Sequence, residues 1–388
     1  MLVWLGISAV LAFLAALIAF LSAAPPAPSF HLAFAAGALP LICGAIVHFV
    51  PVLTRTGTPP AHIRFLPLVV QLAGVATPLA FGGLLPYWLL HPAATATALA
   101  AMLLAFWIAR RLRATLGAPH PGARWYGAAL LCLFLAVSLV PLWLVLPELR
   151  PVLRLFHLHL NTLGLIGLAA LGTLPVLLPT ALGRPESTAA LRLRRDLLPA
   201  AVGALLVAAG AAGAFWLALP GALLLGWVVV RDLIAWRRAY GAKLGAGEAA
   251  PLVAATCGFL VLLLAGMAHG VGWLAARPAL AAYVVLFLLP LVTGALAQLL
   301  PVWRHPGPVT PRRRRLGARL LVGSRWRALL FLAGGVLLLF DLTAGWLFGA
   351  AGLLLFAVAL LRAFRLDSPE PSDDNSRPNR PPSSPALP

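Results

Sequence analysis

The stretch FHLAFAAGALPLICGAIVHFVPVL, residues 30–53, contains no Asp, Glu, Lys or Arg. A helix of about 20 apolar residues crosses roughly 30 Å of hydrocarbon, so this run is long enough to span a membrane. It also has a copy. Pro40, Leu41, Gly44, Ala45, Pro51 and Val52 recur at identical spacing as Pro290, Leu291, Gly294, Ala295, Pro301 and Val302. A third stretch joins them at lower similarity, with His159, Leu160, Gly172 and Pro179 at the offsets of His31, Leu32, Gly44 and Pro51. Glycine where backbones approach and proline at one end of the span mark each copy.

Similar apolar runs continue from end to end. Of 388 residues 62% are hydrophobic and 10% charged, and the mean hydropathy is +0.97; a soluble domain carries about a quarter charged residues. The chain reads as an all-α, polytopic membrane protein of twelve spans, from Leu2–Ala24 to Leu347–Leu361. Within that series a third span runs to Leu90, a tight turn at Leu219, Pro220 and Gly221 separates the seventh and eighth spans, and an eleventh covers Ala328–Trp346. The copies fall four spans apart, which predicts three four-helix repeats (about 1–110, 125–238 and 251–365) with pseudo-threefold symmetry. Residues 1–365 form the transmembrane domain. The Pro- and Ser-rich residues 366–388 read as a disordered cytoplasmic tail. The first apolar run lacks a basic leader and is expected to stay as a helix.

Basic residues near span ends resist translocation. Of 29 Lys and Arg, only Arg150, Arg154 and Arg277 fall in loops on the side opposite the tail. Both termini are therefore expected in the cytoplasm, in a bacterial inner membrane. The net charge of +19 is distributed as topology signals and lipid contacts, not gathered on one nucleic-acid-binding face. Cys43, Cys132 and Cys257 lie in separate apolar runs without metal or redox spacing and read as packing residues. No soluble-enzyme motif is present.

Nine histidines remain to be placed. His62, His120 and His305 fall in tail-side loops, and His48 near the tail-side end of a span. His31, His91, His157, His159 and His269 all fall toward the outer side. An imidazole in a span faces the interior, pairs, or binds something, and it is a common ligand of haem iron and copper. His157 and His159 are about 200° apart around a helix. They present one imidazole to each of two flanking sites, not two to one metal.

Phe156, His157, Leu158 and His159, followed by Asn161, Leu163, Gly164, Gly167, Gly172 and Pro179, resemble the HxH helix of subunit I of the haem-copper oxidases, most closely the cbb-type branch. The stretch from His31 through Pro51 to Gly57 is similar to the second helix of that superfamily and of its NnrS-like relatives, membrane haem proteins linked with nitric oxide metabolism. The resemblance implies twelve helices in three arcs, a high-spin and a low-spin haem on opposite faces of the HxH helix, and His31 as a haem ligand. It implies that Arg150 and Arg154 pair with haem propionates. The departures are specific. Here HxH lies on the sixth span, while the tenth has Ala281 at the position equivalent to His31 and His159, Tyr283 two residues on, and no histidine. The His pair and seventh-helix His of the copper site have no counterpart, so a complete oxygen-reducing centre is not expected.

The reading is an integral membrane haem- or copper-binding protein in respiratory or nitric oxide redox metabolism, with enzymatic turnover left open. Candidate ligands are His31, His157, His159 and His269, with His91 as a further metal ligand; a redox partner protein or a small gas such as nitric oxide would be its partner, with lipids around it. The competing readings are a proton-coupled transporter using Asp341, taken as deep in the eleventh span, with Asn161 and the histidines, or a non-catalytic accessory protein. Asp232 is expected to be satisfied by its neighbour Arg231, and His157 either ligates or bonds Glu148 or a headgroup.

Overall fold

The computed structural model describes residues 1–275 and 279–367; Arg277 and the tail beyond Asp367 lie outside the described residues. Among the described residues the chain folds into twelve helical rods and no strands. They are α1 (Leu2–Leu21), α2 (Pro26–Leu53), α3 (Ala61–Phe81), α4 (Tyr87–Ala114), α5 (Gly122–Val145), α6 (Pro147–Ala181), α7 (Ala189–Ala211), α8 (Phe215–Gly245), α9 (Ala250–Gly270), α10 (Ala279–Arg304), α11 (Pro311–Leu339) and α12 (Gly345–Arg365). Eleven are long and apolar enough to cross a membrane, which makes this a multi-pass membrane protein. The exception is α7, whose first turns carry Arg192, Arg194, Arg195 and Asp196.

Three rods form the interior. In α2, α6 and α10, 67%, 89% and 72% of the apolar window is buried, against 50% or less in the other eight spans. The outer rods turn Leu11, Ile18, Leu72, Phe106 and Leu223 outward, as a lipid-facing surface requires. Exposed Trp88, Trp216 and Trp273 mark one end of the bundle, and Trp4 and Trp326 the other; such belts settle at headgroup level. The first end is called the histidine face below, and the second the basic face.

Each inner rod is broken by a π segment: Leu32–Ala38 in α2, Leu160–Gly167 in α6 and Tyr283–Leu288 in α10. The cause is local. Pro40 and Pro290 stand just beyond the segments in α2 and α10; neither can donate to the carbonyl four residues back, and each ring crowds it. Those carbonyls belong to Ala36 and Leu286. Gln71 of α3 donates its Nε2–H to Ala36 O at 3.0 Å in place of the missing N–H. In α6 there is no proline at the matching position. Instead Asn161 and Thr162 donate to His157 O and Leu158 O, both at 2.9 Å, and Tyr283 of α10 donates its hydroxyl to Thr162 O at 2.6 Å. Neighbouring rods fit these widened segments through glycine. A methyl group on Gly74 would overlap Ala35 O, and one on Gly258 would overlap Leu286 O.

Several boundaries differ from the sequence reading. The third rod ends at Phe81, because Gly82 and Gly83 (φ +75°) turn the chain before Pro86. The turn between α7 and α8 lies at Ala212–Ala214 around Gly213 (φ +148°). Pro220 sits in the first turn of the following helix, where its missing N–H costs nothing. Between α11 and α12 the chain turns at Phe340–Ala344, and Asp341 occupies that turn with φ +59° and an exposed side chain. An aspartate tolerates this backbone better than most residues, so it marks the end of α11 and is not an intramembrane acid.

At the basic face, ionic side chains join α7 to α8. Arg192 binds Glu186 and also Asp232 at 3.0 Å, while Arg231 binds Asp196 at 2.6 Å. Asp232 is thus paired across the helices and not with Arg231. Burial alone would raise the Glu186 carboxyl, but hydrogen bonds from Arg192 and Thr188 and the Arg192 charge outweigh it and hold the group below its ordinary value. The end of α12 is tied to α10 by His305 and Arg304, both on Asp367. Cys43 and Cys132 are buried, Cys257 is half-buried, and all are free thiols.

Candidate functional site

His157 and His159 occupy the last α-helical turn of α6 before its π segment. Each ring is held from behind. His157 Nδ1 is 2.8 Å from the carbonyl oxygen of Ala136 in α5, and His159 Nδ1 is 2.8 Å from Leu155 O one turn back. A carbonyl can only accept, so the proton sits on Nδ1 and the Nε2 lone pair is left bare. The same arrangement recurs at two more rings. His31 Nδ1 is 2.7 Å from Ala27 O, and His269 Nδ1 is 3.0 Å from Leu274 O.

The four rings fall into two neighbour sets, His31 of α2 with His157 and His269 of α9 with His159. Aromatic rings flank the first pair. Phe81 packs on His31 at 4.7 Å between centroids and 35° between planes; Trp143 meets His157 edge-on at 5.1 Å and 72°. His31, His157 and His159 are half-buried and His269 is exposed.

Arg150 and Arg154 precede His157 by seven and three residues on the same rod, which places all three on one helical face. Both guanidiniums are exposed. Neither is paired with Glu148 or another carboxylate among the described residues. His157 does not bond Glu148 either, because the Ala136 carbonyl already takes its N–H.

The remaining histidines differ in kind. His91 opens α4 without the carbonyl tie and outside both pairs. His48 lies at the basic face, edge-on to Trp303 at 6.0 Å, and lines a cavity of about 310 Å³ with Pro51 and Thr56. His120 Nδ1 accepts from Gly122 N at 3.2 Å, and burial pushes its pKa below the ordinary imidazole value. His305 holds Asp367. His62, read as a loop residue, stands exposed in the first turn of α3, so among the nine histidines only these four rings have Nδ1 tied to a backbone carbonyl.

Neutral imidazoles backed by carbonyls are what a metal ligand needs, since the second hydrogen bond sets the tautomer and raises basicity. Single carbonyl-backed imidazoles of this kind are the donors a haem iron would take, and no three His, Cys, Asp or Glu side chains converge among the described residues. Gln71 and Tyr283 were not foreseen as structural partners. The signal was available as single polar residues inside apolar runs, but their acceptors, carbonyls released by π segments, leave no mark in the sequence. No family model matches the chain, and no curated protein matches it in sequence.

Proposed function

We propose that the chain is a twelve-span, three-repeat haem protein of the bacterial cytoplasmic membrane, with its basic face and termini in the cytoplasm. In this reading His157 and His31 would hold one haem, and His159 and His269 a second. The role is in respiratory or nitric oxide redox metabolism, without an oxygen-reducing binuclear centre. The observation that carries it is the shared build of four rings on one face: Nδ1–H tied to a backbone carbonyl, Nε2 bare, partners on different helices.

Three features support the repeat. The inner rods α2, α6 and α10 are four rods apart. Shifts of 128 and 250 residues align Gly44 with Gly172 and Gly294. The same shifts bring the three π segments into register to within one residue. In α7, the one rod outside the eleven apolar spans, the buried Arg192 and Asp196 would enter the membrane boundary already paired, which lowers the cost of taking them out of water.

Bound haem would supply one-electron chemistry. The protein's part is to hold the ring nitrogens and to set Arg150 and Arg154 beside His157, where guanidinium suits carboxylate. The transporter reading loses its intramembrane acid, because Asp341 lies in an exposed turn.

Protein purified from haem-supplied cells should show a Soret band. His31→Ala and His159→Ala should each diminish it, while His48→Ala should leave it intact. Colourless, metal-free protein would contradict the proposal.

A further inference from the structure

Near the start of α5, residues Ala118, Pro119, Pro121 and Arg124 face Leu193, Arg194 and Leu197 of α7 across a cavity of about 250 Å³. Its walls are fixed. The indole N–H of Trp125 donates to Leu193 O at 2.8 Å, joining the residue after Arg124 to the residue before Arg194. Arg124 and Arg194, 70 positions apart in sequence and both exposed, are thereby brought to one opening, where like charges repel.

The carboxylates nearby are already engaged: Glu186 and Asp232 by Arg192, and Asp196 by Arg231. The lining offers no anion of its own. Pro119 and Pro121 lack N–H groups, Leu193 and Leu197 are apolar, and the whole lies at the basic face. We infer that this cavity binds a phosphate group, with Arg124 and Arg194 gripping its oxygens and the leucines covering its apolar attachment. A guanidinium fork matches phosphate oxygens in pairs, and basic pockets between helices are the usual seat of anionic headgroups. The phosphate can come from an anionic phospholipid or from solution.

Native mass spectrometry and thermal unfolding of the detergent-purified full chain separate these sources. The probes are phosphatidylglycerol, phosphatidylcholine and inorganic phosphate. Phosphatidylglycerol should be retained and stabilise the wild type more than phosphatidylcholine. Its retention should fall at least tenfold in Arg124→Ala/Arg194→Ala and stay unchanged in Arg237→Ala/Arg238→Ala, which removes equal charge outside the cavity. Arg194→Gln, at an exposed position, serves if the double variant does not fold. Stabilisation by inorganic phosphate alone, lost in the cavity variant, supports the site with a soluble ligand. Responses to both probes that match the wild type in the cavity variant, or an equal loss in the control variant, overturn it.

Discussion

At the scale of single residues, what distinguishes a candidate ligand from an ordinary histidine is its second hydrogen bond. His157 and His159 stand out in the sequence as HxH, and their divergence around the helix follows from 3.6 residues per turn. The Ala136 carbonyl that sets the His157 tautomer is 21 residues away on another rod, and no local pattern announces it. The same is true of Arg192. Its cluster reads as a topology signal, yet it holds Glu186 and Asp232. Because Arg192 and Thr188 hold the Glu186 carboxyl below its unfolded value, its contribution is complete above the ordinary glutamate range and fades as pH falls through the folded value. Thermal unfolding measured against pH should therefore show acid destabilisation in the wild type that is smaller in Glu186→Gln. Identical profiles would remove the pair from the account.

At the scale of elements, the π segments are where backbone chemistry and sequence meet. Pro40 deprives Ala36 O of its helical donor and Gln71 replaces it. Gln71→Leu should cost about 1–3 kcal/mol by leaving that carbonyl unsatisfied. Adding Pro40→Ala restores an N–H, so the double variant should be less destabilised than Gln71→Leu alone, a coupling that a double-mutant cycle reads directly. Tyr283→Phe should cost a similar amount through Thr162 O. Gly74→Val should cost more, because Ala35 O occupies the space and a backbone atom cannot rotate away. The copied Pro40 and Pro290 were visible in the sequence, as was the fourfold spacing of the inner rods. The widening beside them was not, since a π segment depends on which neighbour can take the released carbonyl. Turn positions were the least legible part: at Pro220 and Asp341 the chain reads equally well as a break or as a helix, and packing of the flanking rods decides.

At the scale of the molecule, charge and histidines divide between two faces. With the basic face in the cytoplasm, a cysteine placed at Trp88 or Trp216 on the histidine face should react with a membrane-impermeant maleimide in intact spheroplasts. One placed at Arg113 should react only after lysis. The reverse pattern would invert the topology and put the ligand pairs in the cytoplasmic leaflet. The central proposal is narrower: one helix would serve two haems, because His157 and His159 diverge by about 200° around it and each ring has its own Nδ1–carbonyl tie. The haem-to-protein ratio of purified protein, determined after extraction, tests it most directly. The account predicts a ratio near two for the wild type, near one for His157→Ala and for His159→Ala, and near zero for the double variant. A wild-type ratio of zero, or a ratio that neither single substitution lowers, would contradict it.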